Sequence, residues 1–138
     1  MEVSGLWRSA LLVALLVPIV GCHGKKLIPT KGIVTLDGSP LDEAVVQFYP
    51  EGDEGEPARG VTDKDGSFEL STDRVKGVRP GTYRAVVVKF DTSGAVHRKQ
   101  SMLPALYGSK DTTPFRFTVP HDGLLTLDLS SSTENEAK

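Results

Sequence analysis

The sequence predicts an antiparallel β-sandwich of about seven strands, preceded by an N-terminal signal segment. Apolar and polar residues alternate in several short runs, and no helical period persists over about ten residues. Gly and Pro supply 20 of the 117 residues after Gly21, as expected of many short strands joined by turns. A chain of 138 residues suits one small domain, so we expect a single β-rich domain.

The predicted strands are short and lie between turn residues. Asp37 and Gly38 open a turn after the first strand, and Gly66 takes the positive φ of a later hairpin turn. The predicted strands span residues 31–36, 44–49, 58–62, 67–71, 82–90, 115–119 and 125–129. The side chains expected to fill the core are Val34, Leu36, Val46, Phe48, Phe68, Leu70, Tyr83, Val87, Phe115, Phe117, Leu125 and Leu127.

Two segments do not follow simple alternation. The valine run 86–88 predicts either a central strand buried on both faces or a bulge that shifts the facing side chains. Residues 103–108 are expected to form one helical turn that packs Leu106 and Tyr107 on the sheet edge. Residues 130–138 are polar and predict a disordered tail after the domain.

The charge balance excludes one class of partner. After Gly21 the chain has 15 Lys/Arg and 17 Asp/Glu, a net charge of −2. Nucleic-acid binding needs a surplus of cations to displace phosphate counterions, so we expect no nucleic-acid partner.

The N-terminal segment has the pattern of a lipoprotein signal peptide. After Arg8 comes an apolar run, residues 10–17, which is too short to cross a bilayer but has the length of a signal-peptide centre. Ile19, Gly21 and Cys22 then resemble the lipobox of bacterial lipoproteins, in which the thiol takes a diacylglyceryl group and signal peptidase II cuts before the Cys. Cleavage is therefore expected between Gly21 and Cys22. Because Cys22 is the only cysteine, an intramolecular disulfide is excluded.

Lipidation would anchor the mature chain to a membrane by the lipid on Cys22. Each buried methylene contributes about 0.8 kcal/mol, so a two- or three-chain anchor is effectively permanent. We divide the chain into a signal peptide (1–21), a lipidated Cys and tether (22–30), a β-sandwich (31–129) and the polar tail. Lys25 and Lys26 either contact anionic headgroups or merely keep the tether solvated.

Four motifs in order carry a family resemblance: residues 32–41 (GIVTLDGSPL), 44–50 (AVVQFYP), 60–68 (GVTDKDGSF) and 80–83 (PGTY). Together they resemble the carboxypeptidase regulatory-like domain, a transthyretin-like (prealbumin-like) or Ig-like β-sandwich, and more closely small bacterial lipoproteins that carry one such domain. The resemblance implies a structural, adhesive or ligand-binding accessory role. The related hydroxyisourate hydrolase ends in Tyr-Arg-Gly-Ser, whereas this chain ends in Asn-Glu-Ala-Lys. A Lys–Asn isopeptide bond, found in some relatives, would have to use Asn135 in the tail.

No motif for catalysis or metal binding stands out. His23, His97 and His121 have no metal-ligand spacing, and no nucleophile elbow or phosphate loop is present. Asp63 and Asp65 are weak calcium candidates because they lack the downstream Glu of a calcium loop, and a hairpin turn explains them better. We therefore predict no catalytic residues, no metal and no cofactor.

These observations predict a lipid-anchored module of the cell envelope, periplasmic or on the cell surface. We expect a non-catalytic binding or structural role, an envelope protein or glycan as partner, and a monomer. The alternative is a small-molecule hydrolase or transthyretin-like ligand-binding protein that uses an open end of the sandwich. A pocket with converging titratable side chains would favour the alternative, and a filled sandwich would favour the module.

Overall fold

A computed structural model describes residues 26–52, 55–91 and 101–132. The predictions for the signal peptide, for lipidation at Cys22 and for most of the polar tail lie outside these residues. Within the described ranges, no helix has the length and apolar character needed to span a membrane.

The described chain is built from ten strands and one short 3-10 helix. Seven strands have three or more residues, and three contain only two. The strands are β1 (Lys31–Leu36), β2 (Ser39–Pro40), β3 (Val45–Pro50), β4 (Ala58–Val61), β5 (Ser67–Glu69), β6 (Ser71–Thr72), β7 (Val75–Lys76), β8 (Gly81–Val88), β9 (Arg116–Val119) and β10 (Leu125–Leu129), with the 3-10 helix at Ala105–Gly108 between β8 and β9.

The strands form two sheets that enclose one core, which confirms the predicted β-sandwich. The larger sheet has the order β7-β6-β4-β3-β8-β9. In the smaller sheet, β1 pairs with β10 on one side and with β2 and β5 on the other. All pairs are antiparallel except β1 with β10, which run parallel from Gly32 opposite Leu125 to Leu36 opposite Leu129. The first and last strands of the sandwich therefore lie side by side.

The core is close to the predicted one. Nine of the predicted residues are buried, and the exceptions are Leu36, Phe115 and Phe117, which are only partly buried. Phe117 lies on β9, an edge strand of the larger sheet, where no further strand covers it. Leu36 ends β1, and Phe115 directly precedes β9.

The valine run of β8 is explained by a central strand. β8 lies between β3 and β9, and its register with β3 is continuous, so no bulge is present. Val87 belongs to the core cluster, while Val86 points to the opposite face and is still only 3% exposed. Of the two interpretations of this run, burial on both faces is confirmed.

The 3-10 helix only partly follows its prediction. Tyr107 is buried, stacks on Phe115 at 5.7 Å between ring centroids, and accepts a hydrogen bond from the backbone N–H of Ser130 at 3.0 Å. Leu106, predicted to pack on the sheet edge, is 37% exposed. A single turn directs few side chains to one face, so only Tyr107 reaches the core.

The sandwich has two ends, which we name by the direction of β1 and β8. Both strands begin at the proximal end and finish at the distal end. β3 runs the opposite way, from Val45 beside Val88 at the distal end to Pro50 beside Tyr83 at the proximal end. Since β8 has eight residues, the two ends are about 26 Å apart.

The folded domain begins upstream of β1. Ile28 forms an antiparallel bridge with Val78, in which each backbone N–H donates to the other residue's carbonyl at 2.8 and 2.9 Å. The carbonyl of Thr30 accepts the N–H of Leu70 at 2.9 Å, and Thr30 itself is buried. Residues 28–30 are therefore part of the sandwich rather than free chain.

Candidate functional site

The two weak metal candidates form a hairpin turn. Oδ1 of Asp63 accepts the backbone N–H groups of Asp65 and Ser67 at 2.9 and 3.0 Å, and the Asp63 carbonyl accepts the N–H of Gly66. This carboxylate oxygen is therefore used to hold the turn, which is the alternative explanation offered by the sequence. Gly66 has φ +75°, as predicted.

The described residues contain no cluster of three or more His, Cys, Asp or Glu side chains able to hold a metal ion. His121 lies beside the core edge, where its ring meets that of Phe117 edge-on at 6.2 Å. The other two histidines, His23 and His97, and the lipidation site Cys22 lie outside the described residues.

The most distinctive polar surface is the outer face of the larger sheet. Side chains on this face alternate with those that enter the core, so that polar residues from four neighbouring strands lie next to each other. They are Gln47, Tyr49, Arg59, Thr82, Arg84, Arg116 and Thr118. We call this surface the outer face.

Glu51 joins two arginines on the outer face. Its Oε1 accepts from Nε of Arg84 at 3.0 Å, and its Oε2 accepts from Nη2 of Arg116 at 2.6 Å. Nη1 of Arg84 also donates to the carbonyl of Lys110 at 3.3 Å. We call Glu51, Arg84 and Arg116 the Glu51 cluster.

Sheet register explains why this cluster exists. Arg84 and Arg116 are directly opposite each other on β8 and β9, and like charges in that position destabilise a sheet. Glu51 directly follows β3, the neighbour of β8 on its other side, and is held by a hydrogen bond from its N–H to the carbonyl of Thr82 at 2.9 Å. One carboxylate thus offsets one of the two positive charges, and the cluster keeps a net charge of +1.

An open cleft of about 370 Å³ adjoins the cluster. Its lining is mainly polar and includes both signs of charge. The lining residues are Tyr49, Pro50, Glu51, Gly52, Arg84, Lys110 and Asp111. We call it the polar cleft. Its position beside Pro50 places it toward the proximal end.

No protein-family model, curated protein or solved structure matches this chain.

The distal end carries two grooves. The first, of about 430 Å³, is mostly apolar and is lined by Val88, Phe90, Leu103 and small residues of the 3-10 helix. The second, of about 290 Å³, lies between Leu36 and Met102 and is about equally polar and apolar. Phe90 is 41% exposed and Met102 is 63% exposed. Exposed apolar side chains are therefore gathered at this end.

The carboxylates of Asp42 and Asp37 hold loops of the distal end in place by hydrogen bonds. Nζ of Lys89 donates to Oδ1 of Asp42 at 2.9 Å, and this hydrogen bond and the charge of Lys89 lower the pKa of Asp42. Asp37 accepts the N–H of Ser131 at 3.0 Å, and hydrogen bonds from Ser131 lower its pKa. Both groups hold chain segments together at the distal end.

The sequence did not single out the Glu51 cluster. Glu51 is separated from Arg84 by 33 residues and from Arg116 by 65 residues, so no local motif joins them. The sequence did indicate the position of one member of the cluster. Alternation in residues 115–119 directs the Arg116 side chain outward, and this side chain is 65% exposed. The missing information was which strands are neighbours.

Proposed function

We propose that this chain is a lipid-anchored protein of the cell envelope that acts as a non-catalytic binding module. The observation that carries the proposal is the position of Cys22. It follows an apolar segment of signal-peptide length and stands only six positions before Ile28, the first residue bridged into the sandwich. The anchor and the folded domain are thus separated by a very short tether.

The short tether supports a fixed arrangement at the membrane. Six peptide units reach at most about 20 Å, less than the length of the sandwich. The proximal end therefore stays near the lipid, while the distal end projects away from it. A signal peptide that ends in a lipobox would place the domain in the periplasm or on the cell surface.

The outer face supports the binding role. Glu51 offsets one of the two opposed arginine charges, and both arginine side chains remain partly exposed, Arg84 in the lining of the polar cleft and Arg116 beside it. The order of the four sequence motifs supports membership of the carboxypeptidase regulatory-like family, whose single-domain lipoproteins have accessory roles. The partner class in this proposal is an envelope protein or glycan.

A lipidation assay tests the anchor. Cells that express the full chain are labelled with a palmitate analogue, and label and membrane fraction are measured for wild type, Cys22→Ser and His23→Ala. We expect label on the wild type and on the His23→Ala control, and none on Cys22→Ser, which should be released or remain uncut. A soluble, unlabelled wild type would refute the anchor.

A second candidate is ligand binding at an open end of the sandwich. The distal grooves favour it, because Phe90 and Met102 expose apolar surface beside them. Apolar clefts with few polar groups are typical of sites for small apolar ligands.

A further inference from the structure

We propose that the Glu51 cluster and the polar cleft bind the carboxylates of an acidic glycan, of the kind built from uronic acids. The inference rests on the proposed binding role and names its ligand class.

Charge on the cleft and the Glu51 cluster together favours an anion. Arg84 and Lys110 line the cleft with the carboxylates of Glu51 and Asp111, and Arg116 adjoins it through its bond to Glu51, so the net charge of these five groups is +1. Both oxygens of Glu51 are already engaged by the arginines. One positive charge is therefore left for a ligand.

The arginines have donors to spare for a carboxylate. A guanidinium has five N–H groups, and Arg116 donates to Glu51 from Nη2 while its side chain remains 65% exposed. Glu51 holds the two guanidinium groups at a fixed separation, so less side-chain freedom is lost when a ligand binds. Planar carboxylates match the forked geometry of arginine donors.

At β8 a ligand finds no free main-chain hydrogen-bonding groups, because this strand is paired on both sides by β3 and β9. Recognition by Arg84 must therefore use its side chain. β9, which carries Arg116, is the edge strand of the sheet, so an acidic peptide is the competing ligand that the test has to exclude.

Hydroxyl groups extend the site along the sheet. Thr82 and Thr118 form the next outward-facing pair, with their hydroxyl oxygens 3.3 Å apart, about 7 Å along the strands from the arginine pair. On the other side of Arg84, the Tyr49 hydroxyl donates to Oε1 of Gln47 at 3.1 Å. Alternating charged and hydroxyl groups suit a chain of sugars that carry both carboxylates and hydroxyls.

The test is a titration of the full-length protein, extracted in detergent, with oligogalacturonate as the probe. A neutral galactan oligomer of the same length is the control ligand. We expect the wild type to bind only oligogalacturonate, and Arg116→Gln to weaken binding about ten-fold or more. Arg59→Gln is the matched control, since Arg59 is exposed on the same outer face but neither lines the cleft nor belongs to the Glu51 cluster, and its effect should stay below about two-fold. Asp111→Asn should tighten binding by removing a repelling charge.

Thermal midpoints of the variants are measured in parallel, because these exposed substitutions should leave the fold intact. Equal binding of the acidic and neutral oligomers, or equal losses in Arg59→Gln and Arg116→Gln, would overturn the inference. Tighter binding of oligoglutamate than of oligogalacturonate would overturn the assignment to a glycan. The binding assay does not require lipid, so the two proposals can fail separately. Intact glycan binding by a protein that carries no lipid would refute the anchor alone. A lipidated protein that does not bind oligogalacturonate would refute this inference alone.

Discussion

Tyr83 shows how one buried side chain closes a loop of this sandwich. Its ring is 2% exposed, and its hydroxyl donates to the carbonyl of Arg79, four residues earlier, at 2.8 Å. A tyrosine that bonds back to the chain just upstream is the corner device known from other β-sandwiches. The bond fixes the path of the chain from Val78 into β8.

Replacing Tyr83 with Phe should lower the free energy of unfolding by about 1–2 kcal/mol at neutral pH, because the Arg79 carbonyl loses its donor. Burial raises the pKa of Tyr83 above its ordinary value. The unfolded chain therefore ionises first as the pH rises, and the wild type loses stability from about pH 10 upward. The Phe variant lacks this loss, so the two proteins should become closer in stability at alkaline pH. Denaturant unfolding at a series of pH values measures this, and a constant gap would contradict the burial of the hydroxyl.

Phe48 and Phe117 stack at 5.8 Å between ring centroids but differ in burial. Phe48 is fully buried, and its truncation to Ala should cost about 3–5 kcal/mol. Phe117 lies on the edge strand, so Phe117→Ala should cost less, about 2–3 kcal/mol. Arg116→Ala, the neighbouring exposed control, should change stability by no more than about 0.5 kcal/mol. Equal destabilisation by Arg116→Ala and Phe117→Ala would mean that the register of β9 is wrong.

Among the elements, two turns at the distal end each contain a glycine with positive φ, but only one of these glycines is in close contact with a neighbouring strand. Comparing them separates the cost of the backbone conformation from the cost of a steric clash. Gly38, in the turn between β1 and β2, has φ +83° and open space where a Cβ would lie. Gly66 has φ +75°, but a Cβ there would collide with the carbonyl oxygen of Val34. That contact exists because the N–H of Val34 donates to the Gly66 carbonyl at 2.8 Å and holds the turn against β1.

Gly38→Ala should therefore cost only the left-handed backbone penalty, about 1–2 kcal/mol. Gly66→Ala should cost that amount plus about 1–3 kcal/mol for the forced shift of β1. Thermal or denaturant unfolding of both variants measures the difference. If the two substitutions cost the same, the Gly66 turn is not packed against β1 as described.

The individual strands were predictable, but their pairing was not. Residues 31–36 and 125–129 were predicted with the bounds that the structure gives, since each run is ended by turn residues. Nothing in either run indicates that β1 and β10 pair with each other, or that they run parallel, because alternation fixes the faces of a strand and not its neighbours. The bridge between Ile28 and Val78 was missed for the same reason: one residue pair has no periodicity.

At the scale of the whole molecule, the two ends of the sandwich have different surfaces. The proximal end holds the start of the folded chain and the polar cleft, and the distal end holds the mostly apolar groove beside Phe90. Strand alternation predicted the filled core between them, but the cleft lies between β3, β8 and the loop that carries Lys110 and Asp111, which only the sheet order brings together. If the chain is anchored as proposed, an acidic glycan would bind on the side of the domain rather than at its exposed tip.

Processing of the whole chain can be followed by its only tryptophan. Trp7 lies in the proposed signal peptide, so the mature protein should contain no tryptophan. Its ultraviolet fluorescence should then come from the tyrosines Tyr49, Tyr83 and Tyr107. Protein extracted from membranes should then show tyrosine emission when tyrosine is excited. It should show no emission when the excitation wavelength is one that only indole absorbs. The Cys22→Ser precursor, if it remains uncut, retains Trp7 and serves as the positive control for indole emission. Indole emission from the extracted wild type would show that the segment is kept, and cleavage between Gly21 and Cys22 would be refuted.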